Sequence, residues 1–193
     1  METIHARFRK IREEDLEKLM YWRMLPEITR YMNTDPKLTL EGQKSWYTRI
    51  KEEEQKSLKE GRKGFYWMIE VDNIPAGFAS LVDIDYDAKK LQTGAYVAEK
   101  SKRSLRLAID LQWNLYRYAF DVLGMNKVCE EVFAENEAVN RILDICGSKR
   151  EGLLRSHIYK NGRYYDMVVR GILKSEWDEK KAGLQYNMIE IED

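Results

Sequence analysis

Hydrophobic and polar residues alternate along several short stretches of the chain, and this pattern predicts the strands of the fold. The clearest stretches are also rich in the aromatic and β-branched residues that strands favour. We predict strands at residues 4–11, 65–71, 76–85, 92–99, 127–133, 153–159 and 163–173. Asn161 and Gly162 separate the last two, and an Asn-Gly pair between two strands is typical of a tight hairpin.

Apolar residues spaced three and four positions apart predict helices between these strands. The predicted helices cover residues 12–23, 27–32, 40–59, 105–123 and 136–145. Thr39 is a candidate N-cap for the third helix, whose second half, residues 51–59, is charged on nearly every side and should face solvent. Residues 105–123 are apolar on two faces, which indicates a largely buried helix that ends at Gly124.

The order of these elements predicts an α/β fold with a mixed, mostly antiparallel central sheet and helices on both faces. Residues 92–133 form a strand–helix–strand unit of the length that a parallel crossover requires. The remaining strands are expected to pair antiparallel. Residues 1–193 contain no internal repeat or low-complexity linker and are expected to form a single domain.

The balance of charges and the few cysteines and histidines narrow the classes of function. Lys plus Arg and Asp plus Glu are 33 each among 193 residues, which argues against a dedicated nucleic-acid-binding protein. No apolar run is long enough to span a membrane, and residues 1–10 lack the apolar core of a secretory signal. The two cysteines, Cys129 and Cys146, are too few for a disulfide framework. The two histidines, His5 and His157, are far apart and have no cysteine or aspartate at the spacing of metal ligands. These observations predict a reduced, cytoplasmic, metal-free protein.

Basic residues cluster where the predicted strand at 92–99 gives way to the buried helix. They are Lys100, Lys102, Arg103 and Arg106. In open α/β sheets a ligand binds beyond the carboxyl end of a strand, where the start of a helix offers unpaired N–H groups to a phosphate. This junction is therefore a candidate anion site. The alternative is a basic loop that is simply solvated.

Three longer stretches, taken in their order along the chain, carry a resemblance to a known family. They are EEDLEKLMYWRMLPEITRYMNTD, LGMNKVCEEVFAENEAVNR and KREGLLRSHIYKNGRYYDMVVRGILKSEW. From about Phe8 to Trp177 the chain resembles the GNAT family of acetyl-CoA-dependent N-acetyltransferases. It is most similar to the branch of ribosomal-protein N-terminal, spermidine and aminosugar acetyltransferases. The resemblance implies acetyl-CoA as the acetyl donor and no metal.

The family's pyrophosphate loop, typically Q/R-x-x-G-x-G/A, corresponds to Arg103, Ser104, Leu105, Arg106, Leu107 and Ala108. The first and last positions agree with that pattern, but Arg106 replaces the central glycine. If the backbone keeps helical angles here, a side chain is accepted and the guanidinium itself can contact a phosphate. If it does not, the added Cβ crowds the coenzyme and weakens its binding. We expect coenzyme binding to be retained.

The resemblance also implies coenzyme contacts on either side of this loop. Tyr96, Val97 and Ala98 correspond to the strand end whose backbone binds pantetheine, and the Val97 region is the candidate N–H donor to the thioester oxygen. Asn136 corresponds to the asparagine that holds pantetheine, although it also suits an ordinary helix cap. Arg141 either reaches the coenzyme or forms a surface salt bridge.

An alkylamine must lose a proton before it accepts an acetyl group, so a carboxylate or an ordered water is expected near it. Asp83 and Asp85 are the candidates, because alternation puts both side chains on one face of a strand end. The alternative is that both acids simply face solvent. Leu143 stands where the superfamily often has a tyrosine, and Val139 stands where the branch often has serine. No general acid is therefore assigned.

Residues of the early helices are the candidates for the acceptor side. The branch's WR…M…W pattern is matched by Trp22, Arg23, Met32 and Trp46, and Tyr86 follows the paired aspartates. Tryptophans at such positions more often belong to the core. Arg23 is harder to bury without a partner and could read an anionic group of the substrate.

The sequence thus predicts direct acetyl transfer from acetyl-CoA to a primary amine of a small molecule, an aminosugar or a protein N-terminus. A non-catalytic acyl-CoA-binding or interaction module on the same scaffold is the alternative, motivated by Arg106, Val139 and Leu143. A third reading is an anion- or nucleic-acid-binding protein that uses the basic junction, although its charge balance does not favour nucleic acid. No membrane partner is expected, and the charged tail or the Asn161–Gly162 hairpin could pair two copies in a homodimer.

Overall fold

The computed structural model describes residues 5–57 and 60–193, and these form eight strands and six α-helices. The strands are β1 Ala6–Lys10, β2 Phe65–Val71, β3 Ile74–Asp85, β4 Lys90–Val97, β5 Lys127–Phe133, β6 Lys149–Lys160, β7 Arg163–Leu173 and β8 Glu190–Ile191. The helices are α1 Leu16–Met24, α2 Pro26–Thr29, α3 Leu40–Glu54, α4 Leu105–Arg117, α5 Glu137–Cys146 and α6 Lys174–Lys181. A π-helical turn, Tyr118–Val122, continues α4.

The strands form one mixed sheet in the order β6-β7-β5-β4-β3-β2-β1-β8. Strand β4 pairs parallel with β5, and β1 pairs parallel with β8. The pairs β1–β2, β2–β3, β5–β7 and β6–β7 are antiparallel. The predicted fold class is therefore confirmed, and the β4–β5 pair is the parallel crossover expected for residues 92–133. The short edge strand β8 carries too few residues to give a sequence pattern.

The described residues group into two compact units. The first holds the residues up to Ile84 together with Gly94–Arg103 and Ile189–Asp193. Its apolar core joins α1, α2 and α3 to β2 through a cluster of buried side chains: Ile11, Leu16, Leu19, Trp22, Ile28, Ile50, Met68 and Ala98. The single domain expected over residues 1–193 stays a prediction.

A buried network of charges fixes the start of α1 in this first unit. The guanidinium of Arg9 donates to both carboxylate oxygens of Asp15, at 2.7 and 2.8 Å, and to Oε1 of Glu70 at 2.5 Å. All three side chains are nearly inaccessible to solvent, so each charge depends on its partners. The network ties β1 and β2 to the turn that precedes α1.

The second unit holds Asp85–Thr93 and Ser104–Met188, and α4 is its buried centre. Leu115, Tyr116 and Ala119 are completely buried, as the two apolar faces predict. The segment before β8 is held on the same helix, because Asp110 accepts hydrogen bonds from the backbone and side-chain N–H groups of Asn187, at 3.3 and 2.8 Å.

Several element ends differ from the prediction. Helix α3 ends at Glu54 rather than at residue 59, because the charged stretch beyond it has no apolar stripe to pack. Leu58 and Lys59, and the predicted first-strand residue Ile4, lie outside the described residues. The predicted Asn161–Gly162 turn is confirmed, with φ of 51° and 79° at its two residues.

Candidate functional site

The first turn of α4 is capped by Ser104. This residue has an extended backbone, and its Oγ accepts a hydrogen bond from the N–H of Leu107 at 3.1 Å. The N–H of Ala108 bonds to the carbonyl of Ser104, also at 3.1 Å. The N–H groups of Leu105 and Arg106 come earlier in the turn, where helix geometry provides no acceptor. They are the two amides of this turn that remain for a ligand.

Arg106 lies inside α4 with a helical backbone, so the missing glycine is accepted at this position. Its guanidinium turns along the helix, where Nε donates to Asp110 Oδ2 at 3.0 Å and Nη2 donates to the Gln185 carbonyl at 3.0 Å. Of the two outcomes left open by the sequence, the structure supports the helical one. The side chain, however, is engaged with protein groups and away from the two free amides.

The lysines of the basic junction also have partners. Lys100 Nζ lies 3.1 Å from Oε1 of Glu27, and Lys102 Nζ donates to Oδ2 of Asp72 at 2.8 Å. These carboxylates offset the positive charge that the sequence suggested for the junction. The oriented backbone amides of the helix start are therefore a better candidate for an anion site than the lysine side chains are.

The end of β4 is held by Arg103. Its Nε donates to the carbonyl of Val97 at 2.8 Å, and its Nη2 donates to the carbonyl of Ala98 at 2.9 Å. The N–H of Ala98 points to β3, where it bonds to the carbonyl of Ala76 at 2.8 Å. Because successive amides of a strand point to opposite edges, the N–H of Val97 points to the edge away from β3.

On that opposite edge, the parallel pairing of β4 with β5 is short. The paired residues run only from Lys90 to Gln92, although β4 continues to Val97. On the β3 side the approach is close: a Cβ added to Gly77 would lie 2.1 Å from the carbonyl oxygen of Tyr96. Gly77 thus lets β3 pack directly against the backbone that precedes Val97.

Asn136 caps α5, since its Oδ1 accepts from the N–H of Val139 at 3.4 Å. This is the ordinary capping role that the sequence left open, and it leaves the side-chain N–H groups of Asn136 available. Arg141 is exposed, and no ion pair joins it to another described residue. Leu143 is buried in the core, where it supplies no proton donor.

The two cysteines are poor candidates for a covalent step. Cys146 is completely buried, and burial raises the pKa of its thiol to about 12. Burial is also the main reason that the pKa of Cys129 is raised. Because the thiolate is the reactive form, neither side chain is activated as a nucleophile.

Asp83 breaks the alternation of β3. Its φ is 51°, and the buried residues on either side, Leu81 and Ile84, are three positions apart instead of two. The regular alternation from which Asp83 and Asp85 were expected to share a face is interrupted here, and the shared face stays a prediction. Asp83 is exposed, whereas Asp85 caps the following turn by accepting from the N–H groups two and three residues later, at 3.1 and 2.8 Å.

Four aromatic side chains of the first unit lie side by side and are here called the aromatic row: Trp46 of α3, Tyr66 of β2, Phe78 of β3 and Tyr96 of β4. The rings of Phe78 and Tyr96 stack at 5.7 Å, and Trp46 meets Tyr66 edge-on at 6.0 Å. All four are partly exposed and pack against the buried cluster. Sequence reasoning found Trp46 and Tyr96 but missed the other two. Tyr66 lies two residues before Met68 on β2, and Phe78 pairs with Met68 from β3, so both lie on the same face of the sheet as that apolar residue. This alternation is the sequence signal by which they could have been predicted.

Trp22 and Arg23 lie next to each other on α1 but have different surroundings. Trp22 is 5% exposed and belongs to the buried cluster, with the ammonium group of Lys18 5.6 Å from its ring. Arg23 has a guanidinium nitrogen, Nη1, that is shielded from solvent and bonds to no described residue. Tyr86 lies partly buried in the turn after β3.

No described helix is long and apolar enough to cross a membrane. Within residues 5–57 and 60–193, no group of three or more His, Cys, Asp or Glu side chains is arranged to hold a metal ion.

The chain is similar to acetyltransferases along most of its length. The family model of the GNAT acetyltransferase domain matches residues 5–149. The uncharacterised N-acetyltransferase YoaA of Bacillus subtilis is 27% identical over 179 residues, which cover 90% of this chain and 96% of that protein. The uncharacterised N-acetyltransferase p20 of Bacillus licheniformis is 29% identical over 195 residues, which cover 92% of this chain and 99% of that protein.

A solved structure shares the fold. The spermidine N-acetyltransferase of Vibrio cholerae, solved in complex with CoA and spermine, matches with a TM-score of 0.79 at 20% sequence identity. The match covers 90% of this chain and 98% of that one. At this identity the likeness concerns the fold alone.

Proposed function

The chain belongs to the GNAT acetyltransferase family, and from that premise we propose which of its residues bind acetyl-CoA and which serve the amine. It is an N-acetyltransferase that moves an acetyl group from acetyl-CoA to an amine. In this reaction the amine nitrogen attacks the thioester carbon, negative charge develops on the carbonyl oxygen, and the CoA thiolate leaves. The protein must hold the diphosphate, stabilise that oxygen and accept a proton.

The diphosphate of the coenzyme binds the N–H groups of Leu105 and Arg106. These are the amides of the first turn that the Ser104 cap leaves without an acceptor, and this observation carries the proposal. The partial positive charge at a helix start adds to their attraction for phosphate. Because Asp110 and Gln185 hold the guanidinium of Arg106, the helix start stays accessible. Leu107 and Ala108 complete the turn, and Arg103 holds the strand before it.

The N–H of Val97 donates to the thioester oxygen as charge develops on it. A strand amide that is already oriented needs no reorganisation at that moment, which is the condition for effective stabilisation. Tyr96 and Ala98 supply the neighbouring backbone, where Ala98 is fixed by Ala76. The free side-chain N–H groups of Asn136 suit a carbonyl of pantetheine, and exposed Arg141 suits a coenzyme phosphate.

A carboxylate of β3 takes the proton from the attacking amine, directly or through water. Of the two candidates, Asp83 makes no hydrogen bond or ion pair with another described residue, while Asp85 is occupied as a turn cap. Asp83 is also close enough to Tyr66 for its charge to contribute, after burial and Glu53, to the raised pKa of that phenol. We therefore favour Asp83 as the base.

The acceptor is a primary amine on a small molecule, an aminosugar or a protein N-terminus, and it binds at Trp46, Arg23 and Tyr86. Trp22 supports these residues from the core. The similar protein of Vibrio cholerae acts on spermidine, which makes a polyamine one small-molecule candidate. The two free thiols suit a reducing compartment, and we infer a cytoplasmic location from them.

A second candidate function is a coenzyme-binding module without catalysis. It is favoured by Leu143, whose buried side chain offers no proton to the leaving thiolate. This candidate predicts the same binding of CoA but no release of thiol in the presence of amines.

The experiment that tests the proposal removes one amide from the helix start. Leu105→Pro deletes the N–H of Leu105, yet proline is well tolerated in the first turn of a helix. The extended backbone of Ser104 suits the residue before a proline, and Leu105 is 52% exposed, so the helix should remain folded. A hydrogen bond to a charged group is worth enough that the Kd for CoA should rise about tenfold or more.

Leu105→Ala is the matched control, because it removes the same side chain but keeps the amide. Isothermal titration with CoA should give this variant the affinity of the wild type. Equal loss of affinity in both variants, or no binding of CoA to the wild type, would contradict the proposal. Thiol release from acetyl-CoA with a panel of primary amines separates the enzyme from the non-catalytic module.

A further inference from the structure

Arg23, in the last turn of α1, has a guanidinium nitrogen for which the described residues supply no acceptor. Its Nη1 is shielded from solvent and has no hydrogen-bond partner among the described residues. The guanidinium makes one hydrogen bond there, from Nη2 to Thr34 Oγ1, at the long distance of 3.5 Å. A shielded guanidinium nitrogen without an acceptor is costly, so its retention points to a ligand that supplies one.

The charges that face Arg23 do not supply that acceptor. Burial lowers the pKa of Arg23, and the nearby Tyr96 and Asp35 raise it only in part. Asp35 is exposed on the loop after α2, and its charge raises the pKa of Arg23 by less than burial lowers it. Arginine stays protonated in proteins, so the positive charge persists beside the aromatic row.

The neighbouring Tyr96 adds a second hydrogen-bond donor. Burial raises the pKa of its phenol to about 12, so the hydroxyl keeps its proton at neutral pH. Its ring stacks on Phe78, and the partly exposed rings of Tyr66 and Trp46 follow in the aromatic row. A protonated phenol beside a guanidinium forms a site for an anion, and the row next to it offers apolar faces to the body of a ligand.

We propose that Arg23 is a specificity-determining residue that binds a carboxylate or phosphate of the acceptor, so that this enzyme acetylates amines that also carry an anionic group. The inference rests on the proposed function and narrows its acceptor. A polyamine has no group to pair with Arg23 and would bring further positive charge beside it, so spermidine should be a poor acceptor.

Matched acceptor pairs test this proposal. Phenylalanine against phenethylamine isolates a carboxylate, and glucosamine 6-phosphate against glucosamine isolates a phosphate; spermidine is the cationic comparison. With saturating acetyl-CoA, thiol release should give the anionic member of at least one pair a kcat/KM about tenfold or more above its partner. The pair that shows this preference identifies whether Arg23 binds a carboxylate or a phosphate.

Arg23→Met should remove that preference by lowering kcat/KM for the anionic member about tenfold or more, while its uncharged partner stays within about threefold. Arg23→Lys keeps the positive charge but loses the planar guanidinium. Its kcat/KM for the anionic member should lie between those of the wild type and Arg23→Met. Arg12→Met removes an exposed arginine whose ion pair among the described residues is with Glu14, and it should leave every rate unchanged. Circular dichroism and CoA titration check that each variant is folded.

Direct titration of the same amines into the protein separates the two levels of inference. If no amine is acetylated but the anionic members bind the wild type and lose affinity in Arg23→Met, the proposed function fails and the anion site stands. If amines are acetylated with no preference for an anion, with a preference for spermidine, or with a preference that Arg23→Met leaves intact, the role of Arg23 is overturned.

Discussion

Arg106 illustrates how a single residue can depart from a family pattern without closing the site. A glycine in a phosphate loop provides room and unusual backbone angles, but a residue inside a regular helix needs no unusual angles. Arg106 is the second residue of α4, and its guanidinium donates to Asp110 and to the carbonyl of Gln185. The sequence alone was compatible with an Arg106 side chain that is accepted and with one that crowds the coenzyme. The residues around Arg106 do not show where Gln185, 79 residues away, lies in the fold.

Glu130 is a second residue whose chemistry depends on its surroundings. This β5 carboxyl is buried and accepts hydrogen bonds from the Tyr116 hydroxyl at 2.5 Å, from Gln112 Nε2 at 3.1 Å and from Ser148. Burial raises the pKa of Glu130 and outweighs the lowering by Ser148 and Tyr116. The folded protein therefore favours the protonated carboxyl.

We predict that the stability contributed by this protonated carboxyl is lost as pH rises. It is fully present below the ordinary pKa of 4.5 and disappears as pH passes the raised pKa of the folded state. Glu130→Gln carries no titrating proton, so its free energy of unfolding relative to the wild type should increase over that window. The relative change is about 1.4 kcal/mol for each unit by which the pKa is raised.

Urea unfolding of the wild type and Glu130→Gln across the acidic and neutral range measures this difference. Glu131→Gln, at the exposed neighbouring position of β5, is the control and should show no such trend. A difference between wild type and Glu130→Gln that does not change with pH would mean that Glu130 titrates normally.

Among the elements, β3 and β4 depend on a close contact at Gly77. We predict that Gly77→Ala lowers the free energy of unfolding by about 2 kcal/mol or more. The new Cβ would lie 2.1 Å from the Tyr96 carbonyl oxygen, and this backbone atom cannot move away without disturbing the pairing of β4. Displacing that backbone also moves the N–H of Val97, so kcat should fall in the folded fraction.

Gly152→Ala is the matched control, since a Cβ there meets nothing within 4 Å. It should change the free energy of unfolding by less than about 0.5 kcal/mol. Denaturant unfolding combined with thiol release measures both effects. Equal stability of the two variants would show that β3 and β4 can separate locally without cost.

At the scale of the whole molecule, the end of the chain is held by residues far back in the sequence. Asp110 is 2% exposed and accepts two hydrogen bonds from Asn187, while Asn114 Nδ2 donates to the carbonyl of Asn187 at 2.9 Å. Strand β8 pairs with β1 over a still longer separation. These contacts explain how a segment with no marked sequence pattern is nevertheless ordered.

We predict that Asp110 and Asn187 are energetically coupled. In a double-mutant cycle of Asp110→Ala and Asn187→Ala, the losses of stability should fall short of additivity by about 0.5–2 kcal/mol, because each single change already removes their side-chain bond. Thermal or urea unfolding provides the four values. Asp110→Ala combined with Arg163→Ala, at a distant exposed site, should be additive within about 0.5 kcal/mol. Additivity of the first pair would contradict the coupling.

The sequence by itself determined the types and order of most elements, the parallel crossover, the Asn161–Gly162 turn and the buried character of α4. These features depend on residues close together in the chain, through periodicity, capping and turn chemistry. It missed α6, whose residues are charged apart from Ser175 and buried Trp177, and it put the end of α3 too late.

Only the tertiary structure decided the arrangement of the candidate site. Contacts between distant segments set the aromatic row, the surroundings of the Arg23 guanidinium and the direction of the Arg106 side chain. A local pattern specifies which face a residue occupies within its own element. It cannot specify which partners another strand or helix brings to that face, because those partners are set by strand register and helix packing.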